Sequence, residues 1–380
     1  MIQRCIYLFL LAAHIVGCQQ KVKPISGLEF VLIDSLQLQE KNGFLSQPHL
    51  VGIVSDSILA ATSFKSKGIW FFDLETGEEI SSILSGKVMG TSFMPSGVIW
   101  DAYPEVKVVD GSTQKIHVFR INQDIGSDSQ ERAKDGVDLL SSVTLKAPDD
   151  FKVATFMTFF EEFDGKYYVS IRTTKTLPSK INYFRDSGEV IGVFDLDGNH
   201  IENILSFPKS LQDLQGYIVP YLGYGFGSGE SGAYFTFGSE RELVLMGRDW
   251  NSSRQFEVFK LPESRFFDYK LQFIENEHNG MNTDLSPSTH YLKPVHEERG
   301  FVYLQSKMRD NTKLGQFVML THIFRYNKSL ETWEESDEAF NFLELGDLAG
   351  IKQDTLYFVE ASLINRDQKW MKRAVLKSKG

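Results

Sequence analysis

The side chains whose spacing could do chemistry are corner carboxylates, one glycine-rich run and two histidines. Asp195-Leu196-Asp197-Gly198-Asn199 alternates oxygen ligands around a glycine, as calcium loops do. It lacks the third acidic position in register and a bidentate Glu at the right distance. Asp-Gly is also a preferred pair for a tight hairpin turn, and the turn is the better reading. Residues 223–232 (GYGFGSGESG) are the richest glycine run, and Gly227, Gly229 and Gly232 have the GxGxxG spacing. A phosphate cradle needs a following helix or a lysine, whereas residues 233–237 (AYFTF) read as a strand and no GK[ST] ending occurs. A loop between two strands is expected there, with Tyr221, Tyr224 and Phe226 available to line a cleft.

His290 and His296 stand six residues apart beside Glu297 and Glu298. On an extended chain they share a face but lie about 20 Å apart at roughly 3.3 Å per residue, too far to share a zinc ion unless the chain turns at Pro294. No HExxH, CxxC or HxH spacing occurs, so neither a metal site nor a cofactor is expected. The eight histidines read as scattered structural or surface residues. No G-x-S-x-G nucleophile motif is present either. Carboxylate pairs that cleave glycosides assemble in space and leave no sequence mark, so Asp101, Glu161, Glu162 and Asp347 stay open as acid–base candidates, although solvated strand ends are the better reading and none is privileged by the sequence.

The elements that must position such groups are short strands. Residues 68–80 (GIWFFDLETGEEI) combine a β-branched and aromatic run, a Thr-Gly corner and a second short run, a strand–turn–strand signature. Looser echoes centre on Phe119, Phe194, Phe259, Phe324 and Val375, each behind two or three further strand-like runs. Repeats of about 40–50 residues with four strands each mark a β-propeller, and longer steps imply inserted loops. The expectation is an all-β, six-bladed β-propeller spanning residues 27–380, closed by an N-terminal strand over residues 28–38. Tandem β-sandwiches are the alternative. Residues 124–136 and 276–288 read as inserted excursions, and short helices are expected only near 137–142 and 210–214. Blade loops converge at a propeller's channel mouth, so Asp101, Tyr221, Tyr224 and His290 are the expected ligand contacts, for a glycan, a peptide or an envelope protein.

Composition bounds the partners. The 380 residues carry a formal net charge of −10 without a basic face, which argues against nucleic acid. At 13% aromatic and 24% charged the chain is globular. Its two cysteines, Cys5 and Cys18, both lie near the start, so the folded part has no internal disulfide.

Residues 1–17 have a positive start and an apolar core over 6–16 that is too short to span a bilayer, the form of a secretory signal. Ile15-Val16-Gly17-Cys18 resembles the lipobox of bacterial lipoproteins, which implies a lipidated Cys18 followed by a tether over 18–26. By the same resemblance Gln19, in place of Asp, implies the outer membrane. The lack of acidic residues after it implies the periplasmic side rather than surface display.

With this lipobox, the chain length and hairpins such as residues 72–78 (FDLETGE), the chain resembles the six-bladed propeller lipoproteins of Bacteroidota. That resemblance implies fold and location and carries no catalytic residue across. Trp100-Asp101 is the only Trp-Asp pair, and no kelch or Tyr-Trp-Thr-Asp signature recurs. A binding or scaffold module is the first expectation. A periplasmic hydrolase or lyase acting on a glycan or peptide is the second.

Overall fold

The computed structural model describes residues 25–88, 93–122, 136–156, 158–177, 180, 182–213, 224–237, 241–249, 256–264, 266, 291–309, 319–360 and 368–378. Cys18 with its signal, most of the tether, Tyr221 and His290 lie outside this set.

Strand β1 (Ser26–Leu38) precedes a four-stranded antiparallel sheet of β2 (Leu50–Ser55), β3 (Ile58–Ser63), β4 (Gly68–Asp73) and β5 (Glu79–Leu84). The pattern repeats in β6 (Pro95–Ile99), β7 (Glu105–Asp110), β8 (Lys115–Ile121) and β9 (Val137–Thr144). In the next sheet β10 (Phe151–Val153) and β11 (Phe160–Phe163) both pair with β12 (Lys166–Thr173), which continues to β13 (Glu189–Asp195) and β14 (His200–Ser206). The run β15 (Gly225–Ser228), β16 (Gly232–Phe237), β17 (Glu242–Gly247) and β18 (Glu257–Lys260) follows. Beyond it come β19 (Tyr291–Glu298), β20 (Phe301–Arg309), β21 (Met319–Asn327) and β22 (Thr332–Ser336), with the short β23 (Phe340–Asn341) on β21. Last are β24 (Asp347–Lys352), β25 (Thr355–Val359) and β26 (Lys369–Ser378). The described helices are single turns: α1 (Tyr183–Asp186), α2 (Lys209–Gln212) and α3 (Phe342–Leu345).

The last run gains its fourth strand from the start of the chain. β1 lies antiparallel to β26, with Leu28 opposite Ser378 and Leu38 opposite Lys369. Its first residues also pair in parallel with β22. In the same way β15 pairs in parallel with β19 through Gly227 opposite Val295, so neighbouring runs share one hydrogen-bonded ladder.

Packing explains why residues 68–73 are apolar without alternation. Trp70 and Phe72 face Leu38, Tyr357, Val359 and Met371, in a cluster that joins the first run to the last. Ile69 and Phe71 point the other way, into a cluster with Val106, Val108 and Phe119 of the second run. A strand buried on both faces needs a continuous apolar run. Further clusters join β12 and β13 to β16 and β17, and β20 and β21 to β24 and β25. Sheets stacked face to face in chain order, with their first strands innermost, make this a propeller-type fold.

The Thr76-Gly77 corner docks on β1. Gly77 has φ +71, and a Cβ there would fall 2.4 Å from the Gln37 carbonyl oxygen. Gln39 N donates to Gly77 O (2.8 Å), and Glu79 N donates to Gln39 O (3.0 Å).

Three expectations are corrected. Residues 137–142 form the edge strand β9 rather than a helix, because the ladder to β8 from Val137 to Thr144 supplies the partners a short helix would leave unmet. The glycine-rich run is a strand at its centre: Gly225–Ser228 is β15, and only residues 229–231 turn. Phe259 is not equivalent to Phe72, Phe119, Phe194 and Phe324. Those four sit on the third strand of their runs, while Phe259 lies one strand later, on β18. The true third strand, β17, carries only aliphatic core residues, so an alignment on aromatics passed over it.

Candidate ligand-binding site

The innermost strands converge on one space. Residues 50–53 of β2, 98–101 at the end of β6, 158–161 entering β11, 226–230 along β15, 295–297 of β19 and 349–351 of β24 enclose a cavity of about 400 Å³. Small residues let these backbones close in. A Cβ on Gly227 would fall 1.9 Å from the Val295 carbonyl oxygen, which explains why this strand is rich in glycine. A Cβ on Gly52 would fall 2.2 Å from the Trp100 ring, so the indole lies directly on the β2 backbone.

Apolar and polar surface share the walls about equally. Asp101 follows β6, Glu161 lies on β11, Ser228 closes β15, and Glu230 and Arg248 belong to the turns beyond. Glu161 forms no ion pair among the described residues. It lines the cavity and is half-buried. Burial pushes its carboxyl up to about 7, and the charge of Asp101 adds to this, while the Ser228 hydroxyl and Arg248 oppose it. Arg248 is held at the rim: its Nε donates to Glu230 O (3.1 Å) and its Nη2 to Gly229 O (3.0 Å).

Two further groups of the lining are settled by their partners. His296 Nε2 stands 2.9 Å from Leu348 O. A carbonyl only accepts, so Nε2 carries the proton and Nδ1 the lone pair. Burial pushes this imidazole down to about 4, although the Leu348 carbonyl opposes the shift, and the ring is neutral at pH 7. Burial alone would raise Glu297, but Lys328 and Ser231 more than offset it and hold this carboxyl below its usual range. Lys328 Nζ donates to Glu297 Oε1 (2.8 Å), and the Ser231 hydroxyl does so as well (2.7 Å).

Of the residues expected from sequence, the structure places Asp101 and Glu161 together in this lining. Glu162 points to the other face of β11 and pairs with Lys107. Asp347 pairs with the buried Lys307, which also lies 4.4 Å over the Phe342 ring. Tyr224 is built into the core instead of the cavity, because its ring packs against Phe207, Phe226, Phe235 and Phe237 and its hydroxyl meets Ser170 Oγ (2.5 Å). The sequence reading missed Trp100, Ser228, Glu230, Arg248 and His296 as lining groups. Trp100 had a signal in its adjacency to Asp101; the others are brought in only by the turn and the parallel β15–β19 pairing.

The corner at Asp195 is a turn. Its Oδ1 accepts from Asp197 N (3.0 Å) and Asn199 N (2.8 Å), and its Oδ2 accepts from Asn199 Nδ2 (2.9 Å). Asp73 caps its own corner in a related way, its Oδ1 accepting from Glu75 N and Thr76 N. Among the described residues no group of three or more His, Cys, Asp and Glu is arranged to hold a metal ion. Ser264, His322 and Glu335 also meet, with Ser264 Oγ donating to Glu335 Oε2 (3.0 Å) and lying 3.3 Å from His322 Nε2. Serine and acid there share one ring nitrogen, whereas a nucleophilic triad needs them on opposite nitrogens.

No protein-family model matches the sequence, and no curated protein matches it either. Solved structures do resemble the fold. A Bacteroides fragilis protein described as exported superposes with a TM-score of 0.55 at 12% identity, covering 94% of this chain and 97% of its own. A streptogramin B lyase gives 0.43 at 12% identity, covering 91% and 98%, and a luciferin-regenerating enzyme gives 0.45 at 9%, covering 93% and 98%. Over nearly the whole chain, the first of these likenesses is one of fold.

Proposed function

We propose that this chain is an exported, membrane-tethered propeller that binds a small molecule in its central cavity. The observation that carries this is the convergence of inner strands on a space of about 400 Å³ whose walls combine aromatic and aliphatic side chains with charged and hydroxyl groups. Small-ligand sites have this size and this mixture. The envelope setting is supported by the lipobox-like residues 15–18 and by the fold shared with the exported Bacteroides fragilis protein. In this reading the propeller has six blades, β1 closes the last, and lipidated Cys18 holds it on the periplasmic side of the outer membrane. Acyl chains contribute about 0.8 kcal/mol per buried CH₂, and stable anchoring takes two or more of them. Cys18→Ala protein should leave the membrane fraction after a high-salt wash, and retention there counts against the anchor.

Ligand binding is tested by a thermal-shift screen of small metabolites on the full chain. Hits should raise the Tm and should be lost in Trp100→Ala. Hits that persist unchanged in that variant place the ligand elsewhere.

One observation favours a second reading, a hydrolase or lyase acting on a glycan or peptide at the same cavity. Glu161 titrates near neutrality beside Asp101, as a general acid–base group does. Multiple turnover that disappears in Glu161→Gln while binding persists would establish it over simple binding.

A further inference from the structure

Resting on the cavity reading, we infer that the cavity selects a cationic ligand: an ammonium head set against Asp101 and Glu161, on an apolar body packed against Trp100 and Phe226.

The charge of the lining decides the head group. Four acidic residues line the cavity: Asp101, Glu161, Glu230 and Glu297. Glu297 is already neutralised by Lys328, and its side chain is 2% exposed. The one cation in the lining, Arg248, spends two of its N–H groups on the Glu230 and Gly229 carbonyls and stands exposed at the rim. His296 is neutral, with its N–H turned to Leu348. Asp101, Glu161 and Glu230 therefore outnumber Arg248, and an anion entering between them meets net repulsion.

Glu161 adds an independent reason. Arg248, the one cation that acts on this half-buried carboxyl, is taken up by two backbone carbonyls, and no ion pair among the described residues neutralises Glu161. A ligand ammonium fills that role. The aromatic face fits the same chemistry, since an indole attracts a cation within about 6 Å of its ring. Trp100 is fixed for this by its contact with the Gly52 backbone.

The pairing is coupled to a proton. A cation binds the ionised carboxylate, so below the folded titration point near 7 each binding event releases a proton from Glu161. The groups facing Glu161 from the surrounding elements are Asp101, Ser228 and Arg248, with Glu230, His296 and Glu297 elsewhere in the lining. Of these, His296 is neutral and Glu297 ionised across the pH range used below, and neither accounts for a change near 7.

The test uses three probes of one shape on the detergent-solubilised full chain, by titration calorimetry at pH 8 and pH 6. These are 2-phenylethylamine, 2-phenylethanol and phenylacetate. The amine should bind in preference to the other two at pH 8, and about tenfold more weakly at pH 6. Glu161→Gln should weaken the amine and abolish the pH dependence. Asp101→Asn should weaken it and keep the pH dependence. Either variant serves if the other fails to fold. Failure of the amine to bind at millimolar concentration overturns the inference, as does alcohol or carboxylate binding as tight as the amine. Alcohol or carboxylate binding lost in Trp100→Ala leaves the cavity reading intact and removes only the cation; binding indifferent to Trp100→Ala removes both.

Discussion

The indole of Trp100 lies against the backbone of Gly52, so close that a Cβ at position 52 would fall 2.2 Å from its Cζ2 and 2.7 Å from its Cε2. The absence of a side chain on β2 thus sets the orientation of an aromatic wall of the cavity. Gly52→Val should force the ring to swing and should destabilise the fold by about 1–3 kcal/mol, the usual range for overpacking. Guanidinium unfolding read by tryptophan emission checks this. An unchanged midpoint together with an unchanged native spectrum would contradict the contact.

Glu161 and His296 impose opposite pH slopes on stability. The Glu161 carboxyl has an ordinary value of 4.5 when unfolded and is pushed up to about 7 when folded. Between these limits the folded chain holds a proton that the unfolded chain has lost. Its contribution is therefore full below pH 4.5, lost as pH rises to 7, and flat above. Contact with cavity water reduces the effect to roughly 2 kcal/mol. His296 has an ordinary value of 6.5 and is pushed down to about 4, so its contribution is lost as pH falls from 6.5 to 4. In the wild type the two slopes oppose each other between pH 4.5 and 6.5. Glu161→Gln should gain stability at pH 8 and should then fall more steeply than wild type on acidification. Unfolding midpoints at pH 4.5, 6 and 8 measure this, and parallel curves for the two proteins would refute the assignment.

Much of the scaffold is readable in residues 68–80, because burial on both faces writes β4 as an uninterrupted apolar run and the corner needs Thr76-Gly77. The pairing of β1 with β26 is readable for a related reason, since a long strand without a neighbouring hairpin must find its partner elsewhere. The site is less readable. Glu161 and Glu162 are adjacent and chemically alike, and only the alternation of β11 sends one to the cavity and the other to Lys107. Residue type alone leaves Tyr224 as available as Asp101, but a ring with one polar atom is satisfied in the core by a single serine. Ser228, at the end of β15, and Arg248, just beyond β17, reach the cavity from strand ends within one run, where sequence periodicity stops.

Gly77 tests the corner itself. Valine there would have to adopt φ near +71 and would drive its Cβ into the Gln37 carbonyl, 2.4 Å away. A β-branched residue in the left-handed region costs about 1–3 kcal/mol before any clash is counted. Gly77→Val should therefore lower stability by about 3 kcal/mol or more, while folded protein keeps the ligand affinity of the wild type, because Gly77 is not among the residues that line the cavity. Normal stability with lost binding would reverse this assignment.

The union of β1 with β26 separates two sources of stability. Arg373 Nε donates to Asp34 Oδ1 (2.7 Å) across the pair, and that hydrogen bond holds Asp34 below its usual range. Both side chains are about one-third exposed (32% and 39%), so Asp34→Ala should cost less than about 1 kcal/mol. Leu28 and Leu38, at the two ends of the strand, are 0% and 1% exposed. Leu28→Ala should cost about 2–4 kcal/mol by leaving a cavity. Removing residues 1–38 altogether should be worse than either, since it also bares the β26 edge along ten residues and invites edge-to-edge association. Guanidinium midpoints rank the point variants, and light scattering after refolding reports on the truncated chain. A truncated chain that stays monomeric with the wild-type midpoint would show that β1 only rests on the last sheet and adds nothing to its stability.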